Sequence, residues 1–178
     1  MRSSKGTRFL TMNKALAVFL FFGIVTSLST AAEHSVLEGE KMYSKEYYDN
    51  GQMKAEGWAM GEMKMGYWKF YHPNGALASE GHFKKNKRNE YWHFYNEKGA
   101  LIKEGHYLAG SAENWWIFHD IANAKTSKFQ YKNNQKDGFC LRYKKRKLIR
   151  VEKYTDNNKV GEWTSLLAFK LDNPGVSF

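Results

Sequence analysis

Tyr47–Phe70 reads YYDNGQMKAEGWAMGEMKMGYWKF, Tyr71–Phe94 reads YHPNGALASEGHFKKNKRNEYWHF, and Tyr95–Phe118 reads YNEKGALIKEGHYLAGSAENWWIF. The three stretches superimpose without a gap. Their shared skeleton is Y-x-x-N-G-x-(L/M)-x-x-E-G, a polar segment, and then (Y/W)-W-x-F. A fixed period of this length is the signature of a repeat architecture, in which each unit buries its apolar side against its neighbours. Each block reads as two strands, about Gln52–Ala59 and Tyr67–His72 in the first. A short Asn-Gly turn (Gly51, Gly75, and Gly99 after Lys98) joins one block to the next. The other connection is read as a polar loop, Met60–Gly66, Lys84–Glu90 and Leu108–Asn114. Both connections are too short for a parallel crossover, so the expected fold is all-β, an elongated single-layer antiparallel sheet of repeated hairpins.

Alternation assigns the faces. Trp68, Trp92 and Trp116 form one column, with Phe70, Phe94 and Phe118 beside them on the same side. Tyr67, Tyr91 and Trp115 point the other way, with Tyr71, Tyr95 and His119. Glycine recurs at 57, 81 and 105, where it is expected to let a large ring lie across the backbone. A single layer cannot bury both faces. The aromatic columns are therefore either a shallow core or a surface that a partner covers.

The pattern weakens towards both ends. Tyr43 and Tyr47 sit one period before Tyr67 and Tyr71, so the segment before Tyr47 supplies half a unit. Ser44 and Glu46 stand at its Trp and Phe positions, as suits a polar cap. Residues 120–128 have lost the turn and E-G signals, which leaves their strand in doubt. Cys140 falls in the Trp column, one period after Trp116, and reads as a buried small apolar residue. A last unit runs from Leu148 to Trp163 around a polar Thr155–Lys159 loop, giving about four and a half hairpins. The organisation expected is residues 1–32 as a signal peptide, 33–164 as the repeat domain and 165–178 as a C-terminal cap or tail over the open end of the sheet.

The Y-x-x-N-G-x-L-x-x-E-G…W-x-F-Y pattern resembles the MORN repeat, in the variant form found in exported bacterial proteins. Relatives of that form are often described as antitoxins of toxin–antitoxin systems. The resemblance covers Tyr43–Phe118 strongly and Phe129–Trp163 more weakly. It implies stacked hairpins in a long twisted sheet that acts as a scaffold, a dimerisation module or a membrane-associated adaptor. The chain departs from the pattern at Glu90 and Asn114, where Gly66 closes the first loop.

The 178 residues include 28 Lys+Arg and 18 Asp+Glu, for a formal charge of +10. Arg2, Lys5, Arg8 and Lys14 precede the uncharged run ALAVFLFFGIVTSL at 15–28, and Ser29-Thr30-Ala31-Ala32 follows it. Positive, apolar and small-residue regions in that order describe a secretory signal, with cleavage expected between Thr30 and Glu33. The run is shorter than the roughly 20 apolar residues of a spanning helix, and an uncleaved anchor is the alternative. No cysteine closes the run, which argues against a lipoprotein-type anchor. A periplasmic, outer-envelope or secreted location is expected. From Glu33 onward 24 basic and 18 acidic residues remain, net +6. That balance suits an anionic membrane surface or an acidic partner protein and falls short of a nucleic-acid-binding signature. The single cysteine gives no internal disulfide.

The candidate chemistry is sparse. Glu56, Glu80 and Glu104 recur at one position, but two strands per unit separate them by roughly 10 Å. They read as structural acceptors for neighbouring strands or tyrosine hydroxyls rather than an acid–base pair. The histidines at 34, 72, 82, 93, 106 and 119 lack metal-ligand spacing. No phosphate loop, nucleophile elbow or dinucleotide fingerprint occurs. No catalytic residue, metal or cofactor is expected. The candidate binding residues are Arg142, Lys144, Lys145, Arg146, Lys147 and Arg150, six cations in nine positions, with 144–147 in register with the Asn-Gly turns. The functional expectation is a non-catalytic binding or scaffold module, with homo-oligomers left open. The alternative is an antitoxin-like inhibitor that covers its partner with the aromatic face.

Overall fold

The structure, a computed structural model, describes residues 39–178. The expected signal peptide and His34 lie outside the described residues. Eleven strands follow one another: β1 (Lys41–Tyr47), β2 (Met53–Met60), β3 (Met63–Tyr71), β4 (Leu77–Lys84), β5 (Lys87–Tyr95), β6 (Leu101–Leu108), β7 (Ser111–Asp120), β8 (Lys125–Lys132), β9 (Gln135–Lys144), β10 (Lys147–Thr155) and β11 (Asn158–Trp163). A seven-residue helix, α1 (Leu166–Asp172), closes the chain. The strands form one open sheet in sequence order, each antiparallel to its neighbours. The all-β repeated-hairpin architecture is as the period predicts.

Four details of the sequence reading need correction. The segments taken as long polar loops are tight turns flanked by strand. At Lys85–Asn86, both residues take positive φ, 51° and 62°, the pattern of a type I′ turn. Polar composition misled here because strand residues beside a turn in an open sheet are solvated. The chain needs the extra residues for a bulge: Gly57 faces Trp68 but Trp58 faces Met65, and the same two-residue slip recurs at Gly81/His82 and Gly105/His106. Gly66, Glu90 and Asn114 all occupy it with φ near 60°, so the departure from glycine leaves the geometry unchanged. In the Asn-Gly turns only the glycine is left-handed, with φ of 80° at Gly51 and 83° at Gly75. The asparagine instead works through its side chain: Asn50 and Asn74 Oδ1 accept the N–H of Gln52 and Ala76 at 3.0 Å. Finally, the doubtful stretch near 120–128 contains most of a complete strand pairing, β7 with β8, which raises the count to eleven strands.

The turns at the far ends of the hairpins are stitched together. Asn86 donates its N–H to Lys64 O at 3.1 Å and accepts the Lys64 N–H on Oδ1 at 2.6 Å. Asn134 repeats this pair with Ala112, and Asn157 with Lys136. The asparagine side chain thus continues the ladder past the strand end, which blunts the unpaired backbone there.

The larger part of the core lies on one face of the sheet. Trp68, Trp92 and Trp116 are 1%, 0% and 3% exposed, while Lys54 is exposed and Lys103 half-buried. Burial this deep in one layer requires each ring to lie on backbone. Gly57, Gly81 and Gly105 face the three tryptophans across the strand pair. A methyl group added at Gly81 would lie 2.4 Å from Trp92 ring atoms. Each indole N–H donates to the carbonyl of the residue after that glycine: Trp68 to Trp58 at 2.7 Å, Trp92 to His82 and Trp116 to His106 at 3.0 Å. Phe70, Phe83, Phe94, Tyr107, Phe118, Phe129 and Tyr131 link the indoles into a continuous run of ring contacts. Cys140 continues the column and is fully buried, as its register predicts. Burial pushes its thiol up to about 12.

The tail lies over the last strands of the sheet, β9 to β11. It crosses the opposite face, where Phe169 packs with Leu141 and Val151 and meets the rings of Phe139 and Trp163, while Trp115 meets Phe178. Trp163 Nε1 donates to Asp172 Oδ2 at 2.7 Å.

Removing the Trp92 ring leaves a hole that neighbouring backbone cannot fill. Trp92→Ala is expected to destabilise by about 3–5 kcal/mol. Gly81→Ala is expected to cost about 1–3 kcal/mol by lifting the same ring. Urea unfolding measures both. Losses within error of wild type would show that the indole is not seated as described.

Candidate functional site

The face opposite the tryptophans carries the acids. Tyr71 OH donates to Glu56 at 2.7 Å and Tyr95 OH to Glu80 at 2.9 Å. In the third unit His119 takes the tyrosine position, with Nε2 3.1 Å from Glu104, and His93 Nε2 lies 3.6 Å from the other oxygen. These glutamates are acceptors in a structural ladder, as their spacing predicts. The Tyr71 hydrogen bond holds Glu56 below its usual carboxylate value. Burial, reinforced by Glu80 or Glu104, pushes Tyr67, Tyr91 and Tyr95 up to about 12. Among the described residues no three His, Cys, Asp or Glu side chains group into a metal-holding set. His72 Nε2 lies 3.0 Å from Tyr95 O, and His82 lies 3.3 Å from Glu90.

The six cations divide into two sets. Arg142 and Arg150 do not belong to the hairpin tip. Arg142 donates Nε and Nη2 to Glu152 Oε2 at 3.1 and 3.0 Å and Nη1 to Ser127 at 2.8 Å. Arg150 Nη1 lies 3.2 Å from Glu162 and 3.7 Å from Glu152. Glu152 is buried, and burial alone would raise its pKa. The Arg142 charge, with hydrogen bonds from Arg142 and Tyr154, outweighs this and holds it below its ordinary value. Without Arg142 a buried carboxylate would lose its charge partner, so this arginine serves the fold.

Lys144, Lys145, Arg146 and Lys147 form the tip. Lys145 and Arg146 are the two turn residues, at φ 48° and 64°, and all four side chains are exposed without a salt bridge among the described residues. Lys144 pairs across the strands with Lys147 on one side and with Lys125 on the other. Lys145 N–H donates to Ala124 O at 2.8 Å, which ties the tip to the adjoining β7–β8 turn. A shallow open cleft between the two turns is lined by Ile121, Lys125, Lys145 and Arg146. Lys125 was missed in the sequence because it lies one hairpin away. The only signal available was that it falls one strand pairing from Lys144. Asp120 also lines this cleft, and its carboxylate is engaged by Asn123 at 2.9 Å.

No helix among the described residues is long and apolar enough to cross a membrane. The chain matches no protein-family model and no curated protein.

The tyrosine ladder gives a pH prediction. A phenol whose folded pKa lies above its ordinary value of 10 stabilises the fold fully below pH 10. That contribution disappears as pH rises through about 12 for Tyr67, Tyr91 and Tyr95. Tyrosinate absorbance should therefore titrate in two phases, the later one coinciding with loss of sheet signal in circular dichroism. A single transition near the ordinary value, with the sheet intact, would contradict it.

Proposed function

We propose that this chain is an exported, non-catalytic repeat protein of MORN-like type, serving as a binding or scaffold module whose basic end docks on an anionic membrane surface. One observation carries the docking. Lys125, Lys144 and Lys147 sit side by side across β8, β9 and β10. Like charges directly opposite in a sheet are destabilising. The turn between them adds two non-glycine residues at positive φ, where Asn-Gly would sit with less strain. The β4–β5 turn carries the same two costs, with Lys84 opposite Lys87 around Lys85–Asn86, but the β9–β10 end adds a third lysine in line, Lys125 on the neighbouring strand. An anionic surface offsets the repulsion and gives the site a use, since each cation near such a surface contributes about 1 kcal/mol. With the tryptophan column buried, an inhibitor that covers its partner with those rings has little of them to offer, and docking is preferred.

The test is flotation of the chain with vesicles of anionic or neutral lipid. Changing Lys144, Lys145, Arg146 and Lys147 to Ser is expected to weaken association with anionic vesicles by at least about tenfold at low salt. The wild-type association should fade as salt rises, and the thermal transition should hold or rise. Arg142 and Arg150 are kept, because their loss would unsettle Glu152. Equal binding by both forms, or binding indifferent to salt, would contradict the proposal.

A further inference from the structure

Positions 64, 88, 112 and 136 lie one period apart, at the start of β3, β5, β7 and β9. Three carry a cation that the chain folds back onto its own rings. Lys64 Nζ sits 3.7 Å from the centre of the Trp68 ring and 5.8 Å from Phe70. Arg88 Cζ sits 4.8 Å from Trp92, 5.5 Å from Phe94 and 5.6 Å from Tyr107. Lys136 Nζ sits 4.5 Å from Phe129 and 5.4 Å from Tyr154. The third position is Ala112, whose methyl group cannot reach over a ring.

The rings around Ala112 are nevertheless arranged like those around Arg88. Trp116 lies 6.5 Å from Phe118 and 6.2 Å from Tyr131. The matching separations in the preceding unit are 6.0 Å for Trp92–Phe94 and 6.2 Å for Trp92–Tyr107. Where Arg88 fills its box, the Ala112 unit has an open cleft of about 280 Å³, bordered by the half-buried rings of Phe118, Tyr131 and Tyr107 with Lys103 and Asn134, and floored by Trp116, which is only 3% exposed.

We propose that this cleft is a binding site for a guanidinium group, the side chain of an arginine on a partner protein. The neighbouring box identifies the ligand. Arg88 rests among three rings with no salt bridge among the described residues, so the ring faces alone hold a guanidinium there. Lys103 decides between cations. Its Nζ stands 4.5 Å over Phe94, on the flank of the site, and adds a like charge. A flat, weakly hydrated guanidinium tolerates desolvation beside that charge better than a compact, strongly hydrated ammonium, and it stacks on aromatic faces. The affinity for one side chain is weak, as suits a single contact within a larger interface. The site lies on the ring face of β6–β8, apart from the basic tip, and goes beyond the membrane reading. Each can fail without the other.

The experiment titrates isotope-labelled full chain with N-acetyl-arginine amide and follows the indole N–H resonances by NMR. N-acetyl-lysine amide and phenylpropionate serve as the ammonium and anionic comparators. The Trp116 resonance is expected to shift saturably with the arginine probe, more weakly with the lysine probe and not with the anion. Ala112→Arg supplies the guanidinium from within. It should weaken probe binding by about tenfold or more and raise the melting temperature. Ala112→Lys, which copies Lys64, gives the same reading should the arginine variant fold poorly, and Ala112→Ser should bind as wild type does. No saturable shift at Trp116, undiminished binding in the filled variants, or preference for the anion would overturn the proposal.

Discussion

The seating of an indole ring on a bare glycine backbone is the contact on which the sheet depends. A single-layer sheet ordinarily has no inside, because nothing packs across from its faces. Here Gly57, Gly81 and Gly105 open a flat slot opposite each tryptophan, and the ring drops onto it. The indole N–H then meets a carbonyl freed by the adjacent bulge, so the one polar atom of the ring is satisfied where it is buried. The bulge, the glycine and the hydrogen bond form one device, repeated three times.

Around that device the sheet supplies its own lid. Half-buried phenylalanine and tyrosine rings stand edge-on between the indoles, and Lys64 and Arg88 close the top. Lys64 also meets Glu46 of the first strand, which ties the polar cap to the first indole. The other face uses different chemistry. Carboxylates and tyrosine hydroxyls from strands of neighbouring units are matched along the N-terminal part, and a helix with one buried phenylalanine covers the C-terminal part. Where the tryptophan column gives way to Cys140, the Arg142–Glu152 pair takes over the bonding across β9 and β10. Each unit is complete only against the next, as expected of a quasi-one-dimensional architecture.

Much of this was legible because the period repeats each experiment three times. The tryptophan and phenylalanine columns, the glycine beneath the ring, the glutamate–tyrosine ladder and buried Cys140 all follow from alternation plus register. The turns were less legible. Lys84–Glu90 is polar throughout, and nothing in composition separates a solvated strand with a bulge from a loop; the left-handed φ of Glu90 belongs to the bulge, not to its residue type. The function of Asn86, Asn134 and Asn157 was hidden because they bond to the preceding hairpin, some 22 residues back. The basic run shows the same limit. Sequence proximity grouped Arg142 with Lys145, whereas the pleat turns one onto a buried glutamate and leaves the other at the tip. Lys125, from another hairpin, completes the patch. Ala112 was invisible as a site because its importance is an absence, seen only once the cations at equivalent positions are found on their rings.

Hydrogen exchange of the indole N–H groups tests the central seating most directly. If the rings lie on glycine with their N–H bonded to a carbonyl, the Nε1 protons of Trp68, Trp92 and Trp116 should exchange as slowly as the central backbone amides. Trp58, an exposed ring on the opposite face, should exchange rapidly in the same sample. Rapid exchange at Trp92, while the amides of β4 and β5 stay protected, would mean that the sheet stands without the seated ring and would contradict the account.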